Sequence, residues 1–283
     1  MGRRCAFSSF PKPRLLPTPP GWFGRAGSHL LALVYPQDCL ICRRPLEAVA
    51  RYPVCDACIS EPAALSAEIL CAQCGSAFLN ESSINEQGLC RLCASGATSF
   101  AAAYSFGEYA GTLRELIHLL KYERIRPLCE PLGRMMARAL PPQTVHDALV
   151  PMPLHWRRKF IRGFNQAELL ARVVARRTGL PVLAALRRRR HSPAQASLAS
   201  ASQRRANVRG VFVVPRSEAI AGKRLVLVDD VLTSGATVNA AAAALLEAGA
   251  ARVDVLTLAR ADRRRALIEY RSVLESLTDG GTA

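Results

Sequence analysis

The sequence predicts an α/β fold, with a central parallel sheet flanked by helices and a small cysteine-rich module before it. Three observations carry that expectation. From residue 145 onward, short apolar runs alternate with stretches of helical periodicity, the pattern of strand–helix–strand units in a parallel sheet. One of those runs, residues 226–228, leads directly into Asp229 and Asp230 and then into the short polar loop Thr233, Ser234, Gly235, Ala236 and Thr237. Eight of the ten cysteines fall into four Cys-x-x-Cys pairs between residues 39 and 93.

A chain of 283 residues suits one full-sized domain and a smaller module. Residues 1–26 are basic and broken by prolines where a signal peptide needs an apolar stretch, so they are expected to form a disordered tail. No apolar run is long enough to span a bilayer, and the expected location is the cytoplasm. Residues 27–98 are expected to hold a short apolar helix, ending at Pro36, and the cysteine module. Residues 99–270 form the large domain, and residues 271–283 a flexible end.

The large domain opens with a strand–turn pattern around residues 101–111, in which aromatics alternate. Leu113, Leu116, Ile117 and Leu120 then recur at helical spacing. Lys121 ends that helix; a surface position is the plainer expectation for it, reach into a site the alternative. Residues 147–150 read as a strand stopped by Pro151 and Pro153. Residues 165–178 read as a helix opened by a polar cap and closed by Gly179. Strands are expected at 211–214, 225–228 and 253–258, with an alanine-rich helix at 237–248. The connection 187–209 is long, polar and basic, and long loops in compact domains are usually functional or disordered.

The cysteine pairs are Cys39/Cys42, Cys55/Cys58, Cys71/Cys74 and Cys90/Cys93. Each pair offers two thiolates one tetrahedral edge apart, so two pairs complete a closed four-thiolate zinc site. Two structural zinc ions are expected; tandem and interleaved pairings both satisfy the spacing. Closed sites leave no position for substrate, so this metal stabilises a segment too small to build its own core. Disulfides fit a cytoplasmic chain poorly.

The formal charge is +16, and it is concentrated: residues 151–216 hold fifteen Lys or Arg and one acid, Glu168. Such a block attracts phosphates, pyrophosphate or nucleic acid. The strand–Asp229–Asp230–loop arrangement points to the same chemistry. Successive N–H groups of residues 233–237, with the Thr233, Ser234 and Thr237 hydroxyls, can face one phosphate monoester. Gly235 permits close backbone approach, and the following helix adds about half a positive charge. Two adjacent carboxylates suit the vicinal hydroxyls of a ribose, directly or through Mg²⁺.

These residues resemble the phosphoribosyltransferase signature of a hydrophobic strand, two acids and a T-[ST]-G-x-T loop. The wider order is similar to the ComF family: cysteine knuckles, Pro151-Met-Pro-Leu154, Arg162-Gly-Phe-Asn-Gln-Ala167, then Gln195, Leu198, Arg204, Asn207 and Phe212. The resemblance covers roughly residues 30–260. It implies a phosphoribosyltransferase-type fold behind a double zinc ribbon, a phosphoribosyl pyrophosphate ligand with Mg²⁺, and a link to DNA uptake in competence. It also implies that Asp229 and Asp230 hold the ribose as the catalytic pair and that residues 233–237 hold the 5-phosphate. Arg162 and Arg204 become candidate pyrophosphate contacts, and the 187–209 connection the loop that closes over the site.

Three functions fit these residues. One is transfer of a phosphoribosyl group, a glycosyltransferase reaction, to an unidentified acceptor. The second is a competence factor that binds single-stranded DNA, although aromatic residues are sparse in the basic segment. The third is a sensor of phosphoribosyl pyrophosphate that does not turn it over.

Overall fold

A computed structural model of the chain describes residues 37–46, 51–78, 80–154, 160–188 and 211–261. The expected tail, the expected helix at 27–35, Arg204, most of the 187–209 connection and the chain end at 271–283 lie outside these residues. The chain divides into two compact units, residues 1–56 and 57–283.

The described part of the first unit is organised around its knuckles. A bridge between Asp38 and Pro45 closes the turn that carries Cys39 and Cys42. The second unit begins within helix α1 (Asp56–Ser60) and continues through strands β1 (Ile69–Leu70) and β2 (Ala77–Phe78) and helix α2 (Arg91–Ala94). There follow β3 (Ala103–Glu108), α3 (Gly111–Lys121), α4 (Cys129–Ala139), β4 (Ala148–Pro151) and α5 (Gln166–Thr178). The chain then forms β5 (Arg187–Arg188), β6 (Phe212–Val213), β7 (Arg224–Leu232), α6 (Ala236–Glu247) and β8 (Arg252–Arg260).

Four of these strands form a wholly parallel sheet in the order β3–β8–β7–β4. Leu225, Val226, Leu227 and Val228 are all buried, as expected of a central parallel strand covered on both faces. Leu225 and Leu227 pack in one core with Val238, Ala241, Ala242 and Leu245 of α6. The helices α4 and α5 pack against each other and against the sheet. α5 starts and stops where its sequence says it should. Asn165 accepts a hydrogen bond from the Ala167 N–H at 3.1 Å, and Gly179 closes the helix in the left-handed conformation.

The two helices approach closely because residue 133 is glycine. A Cβ there would lie 2.5 Å from Val173 Cβ, and a β-branched helical residue has little rotamer freedom with which to yield. Gly133→Ala is therefore expected to cost about 1–3 kcal/mol, despite the better helix propensity of alanine. Chemical denaturation of the purified variant checks this.

Two expectations change. The strand expected at 225–228 runs to Leu232, because β8 pairs with it as far as Leu232–Arg260. Asp229 and Asp230 thus lie within a strand and alternate in direction. The strand expected at 211–214 shrinks to β6, which pairs antiparallel with β5 in a separate two-stranded ribbon. Phe212 and Val213 look like a core strand by composition, but their pairing partners are Arg188 and Arg187, at the start of the basic connection.

One buried polar pair had no sequence signal. His146, just before β4, meets Asp254 of β8 at 2.8 Å, with both side chains nearly inaccessible. Burial works against the charge on Asp254, but hydrogen bonds from His146 and Arg252 outweigh it and hold the carboxyl below its ordinary value.

Candidate functional site

All four strands of the parallel sheet end at the same edge, and the candidate site is built there, as ligand sites in open α/β sheets are. After Leu232 the chain leaves the sheet. Thr233, Ser234, Ala236 and Thr237 are exposed, and Gly235 adopts φ +76° at the amino end of α6. That left-handed conformation is open to glycine at little cost, and it turns the loop so that α6 begins at Ala236. The loop is thus exposed at the positive end of a twelve-residue helix.

The acids stand beside it but are less exposed than strand-end acids would be. Asp230 is 5% exposed. Its Oδ1 meets Lys121 Nζ at 2.8 Å, while its buried Oδ2 has no hydrogen-bond partner. Lys121 therefore reaches the site, and the plainer expectation of a surface lysine does not hold. An orphaned buried carboxylate oxygen is costly; it is an acceptor that a ligand hydroxyl could donate to, and a ligand atom that suits a hard cation. Asp229 Oδ1 accepts the Asp230 N–H at 2.9 Å. Burial, and then the neighbouring Asp230 charge, push the Asp229 carboxyl up to about 7, against the opposing pull of Lys121 and Arg162.

Arg162 lies near enough for its charge to act on Asp229. Its guanidinium lies 5.3 Å from the centroid of the exposed Tyr122 ring. The backbone around it is held by Arg124, which donates to Ile161 O at 2.5 Å, and by Arg126, which donates to Gly163 O at 3.3 Å. Of the residues expected at the site, Asp229 and Asp230 lead directly into residues 233–237, and Arg162 is near enough to Asp229 for its charge to pull that carboxyl down. Arg204 lies outside the described residues. Arg124, Arg126 and Tyr122 carried no motif of their own. Their signal was position alone, in the turn directly after the helix that ends in Lys121.

The cysteines form two tandem sets, which resolves the pairing. The sulfurs of Cys39, Cys42, Cys55 and Cys58 lie within 4.8 Å of one another, as do those of Cys71, Cys74, Cys90 and Cys93. Cys42 and Cys55 are 3.7 Å apart, and Cys74 and Cys90 3.8 Å. Zinc–sulfur bonds of about 2.3 Å imply a tetrahedral edge of about 3.8 Å, so both sets fit the ion. In the first set, burial opposes ionisation of Cys39, but the N–H groups of Cys55, Cys42 and Ile41 bring its thiol down to about 6. In the second set, burial and then the charge on Cys74 push Cys93 up, so four thiolates there need a cation among them. The second set is fully buried and shares the core of α6 and the sheet; Cys42 of the first is exposed.

The Asp229 carboxyl gives a pH-dependent expectation. A carboxyl raised from its ordinary 3.8 to about 7 binds its proton more tightly in the folded than in the unfolded chain. The stability it contributes is present below about pH 4 and is lost as the pH rises through 7. Asp229→Asn removes that loss, so the variant should be more stable than the parent at pH 8, by at most about 4 kcal/mol, and nearly equal to it at pH 4. Thermal midpoints at the two pH values check this.

A phosphoribosyl transferase domain model matches residues 163–278, and a double zinc ribbon domain model matches residues 30–97. The fold and the two cysteine sets thus define a phosphoribosyltransferase-type protein with a zinc-ribbon module before it. The DNA utilization protein YhgH of Escherichia coli strain K12 is 31% identical over 234 residues, covering 81% of this chain and 99% of that protein. Competence protein F of Haemophilus influenzae is 30% identical, covering 79% of this chain and 96% of that protein. Competence protein ComFC of Bacillus subtilis is 35% identical over 116 residues, covering 41% of this chain and 45% of that protein. A solved glutamine phosphoribosylpyrophosphate amidotransferase from Bacillus subtilis aligns over 46% of this chain and 26% of its own, with 24% identity and a TM-score of 0.34. This chain belongs to the ComF family. Among the described residues, no helix is long and apolar enough to cross a membrane.

Proposed function

We propose that residues 99–270 bind phosphoribosyl pyrophosphate with Mg²⁺ at the carboxyl end of β7 and transfer its phosphoribosyl group to an acceptor. The observation that carries this reading is the juxtaposition of Asp229, the half-satisfied Asp230 and the open loop 233–237 at one strand end. The loop N–H groups and hydroxyls would hold the 5-phosphate, and the two acids the ribose hydroxyls. Arg162 would face the pyrophosphate, with Arg204 of the basic connection assigned the same role. In the transfer, the bond from the ribose anomeric carbon to pyrophosphate breaks and a bond from that carbon to the acceptor forms. The electron pair leaves with the pyrophosphate. Mg²⁺, when bound through the acids, would neutralise charge on the departing group. The protein's own part is orientation and electrostatic stabilisation of an oxocarbenium-like transition state.

Calorimetric titration of the full chain with phosphoribosyl pyrophosphate, with and without Mg²⁺, tests this. Metal-dependent binding supports it, and no binding in either condition ends it. A non-catalytic sensor would show the same binding without release of pyrophosphate.

A second reading, binding of single-stranded DNA, is favoured by a separate observation. Tyr122, Phe160 and Ile161 are 61%, 88% and 63% exposed, and Arg162 stacks on Tyr122. Exposed rings interleaved with arginines suit unpaired bases, and relatives carry competence and DNA utilization names. Binding of that kind would weaken steeply with salt and would not require Mg²⁺.

A further inference from the structure

The loop 233–237 is gripped from both ends by the second zinc knuckle. At its amino end, Leu232 pairs with Arg260, and the Ala261 N–H donates to Leu232 O at 3.0 Å. The Arg260 guanidinium donates to the carbonyl of Cys74 and, at 2.5 Å, to Ser76 Oγ. That hydroxyl lies 3.1 Å from Cys74 Sγ. At its carboxyl end, Asn239 closes the first turn of α6 by donating its N–H to Gly235 O at 2.8 Å. The Asn239 side chain accepts the Ser99 N–H and donates to Ala97 O at 3.1 Å.

Residues 97–99 are the exit from the same knuckle. They begin four residues after Cys93, and Gln73, between Cys71 and Cys74, holds the chain just beyond them. Its Nε2 donates to Phe100 O at 2.7 Å, and its carbonyl accepts the Ala103 N–H at 2.7 Å. A cysteine knuckle therefore touches both flanks of the loop through two side chains, Arg260 and Asn239. Asparagine is a poor helix former, and here its amide is spent on a segment 140 residues away in sequence.

We propose that the zinc site of Cys71, Cys74, Cys90 and Cys93 is a positioning element for the phosphate-binding loop, acting through Arg260 and Asn239. This rests on the reading of residues 233–237 as that loop. Among the described residues, the segment from β1 to α2 holds two two-residue strands, one three-residue 3-10 turn and one four-residue helix. So little regular structure cannot keep its shape once the metal crosslink is gone. When the knuckle relaxes, Cys74 O, Ser76 Oγ and the Ala97–Ser99 backbone leave their partners, and the loop loses its fixed geometry. Linkage makes the effect mutual: whatever orders the loop must tighten the binding of that zinc.

Asn239→Ala and Arg260→Gln test this in the full, zinc-loaded chain, because each cuts one tether without touching a cysteine. Hydrogen exchange of the 233–239 amides, measured without ligand, should accelerate about tenfold or more in either variant, while the β4 amides stay unchanged. Affinity for ribose 5-phosphate should fall about tenfold. In the parent protein, ribose 5-phosphate should raise the chelator concentration needed, at equilibrium, to remove one of the two zinc ions. Folded variants that keep both zinc ions, with parental exchange at 233–239, overturn the proposal. A parent chain that binds no ribose 5-phosphate retires the ligand reading alone; accelerated exchange in the variants would still uphold the tether.

Discussion

Replacing Asp229 and Asp230 together by asparagine is expected to abolish measurable binding of phosphoribosyl pyrophosphate. In the proposed function each carboxylate accepts from a ribose hydroxyl or shares Mg²⁺, and a hydrogen bond to a charged group is worth about 1.5–3 kcal/mol. Loss of two such interactions corresponds to roughly a hundredfold to ten-thousandfold weaker binding. The fold should survive, because the two changes act in opposite directions. Asp229→Asn relieves a carboxyl that burial and the Asp230 charge disfavour. Asp230→Asn strips Lys121 of its counter-ion inside the site, where Lys121 is 13% exposed. Calorimetry checks the affinity, and circular dichroism with a thermal melt checks the fold. Unchanged affinity in a folded double variant would remove both acids from the ligand.

The second large effect is metal loss. Purified protein should contain two zinc ions per chain, and metal analysis showing none, or iron in their place, contradicts the ribbon assignment. The two sites should not be equal. Cys55→Ser breaks the set with an exposed member and is expected to unravel its knuckles while the large unit stays folded. Cys74→Ser breaks a wholly buried set that packs with α6 and the sheet. Structural zinc contributes about 10–16 kcal/mol in isolated fingers, comparable to the whole stability of a domain at about 5–15 kcal/mol. Cys74→Ser should therefore lower the melting transition of the large unit itself, by far more than Cys55→Ser does. Equal melting of the two variants would mean that the second knuckle is a passenger on the core.

Local chemistry settled a good deal of this protein in advance. A Cys-x-x-Cys turn presents two thiolates whatever surrounds it, so two zinc-ribbon sites were legible from spacing. A strand that runs into two acids and a Thr-Ser-Gly-Ala-Thr turn specifies its own geometry, because Gly235 takes the left-handed conformation and α6 starts at once. Asn165 and Gly179 bounded α5 for the same local reason.

What the tertiary structure alone decided is which distant groups meet. Lys121 reaches Asp230 across 109 positions of chain, and His146 finds Asp254 across 108. Asn239 grips residues 97–99, and the second cysteine set sits in the core of the large unit rather than apart from it. The end of β7 likewise belongs to its pairing with β8, not to its own composition. Each of these follows from the register and order of parallel strands joined by long crossovers. Neighbours in such a sheet are far apart in sequence, so no window of residues contains both partners of a contact.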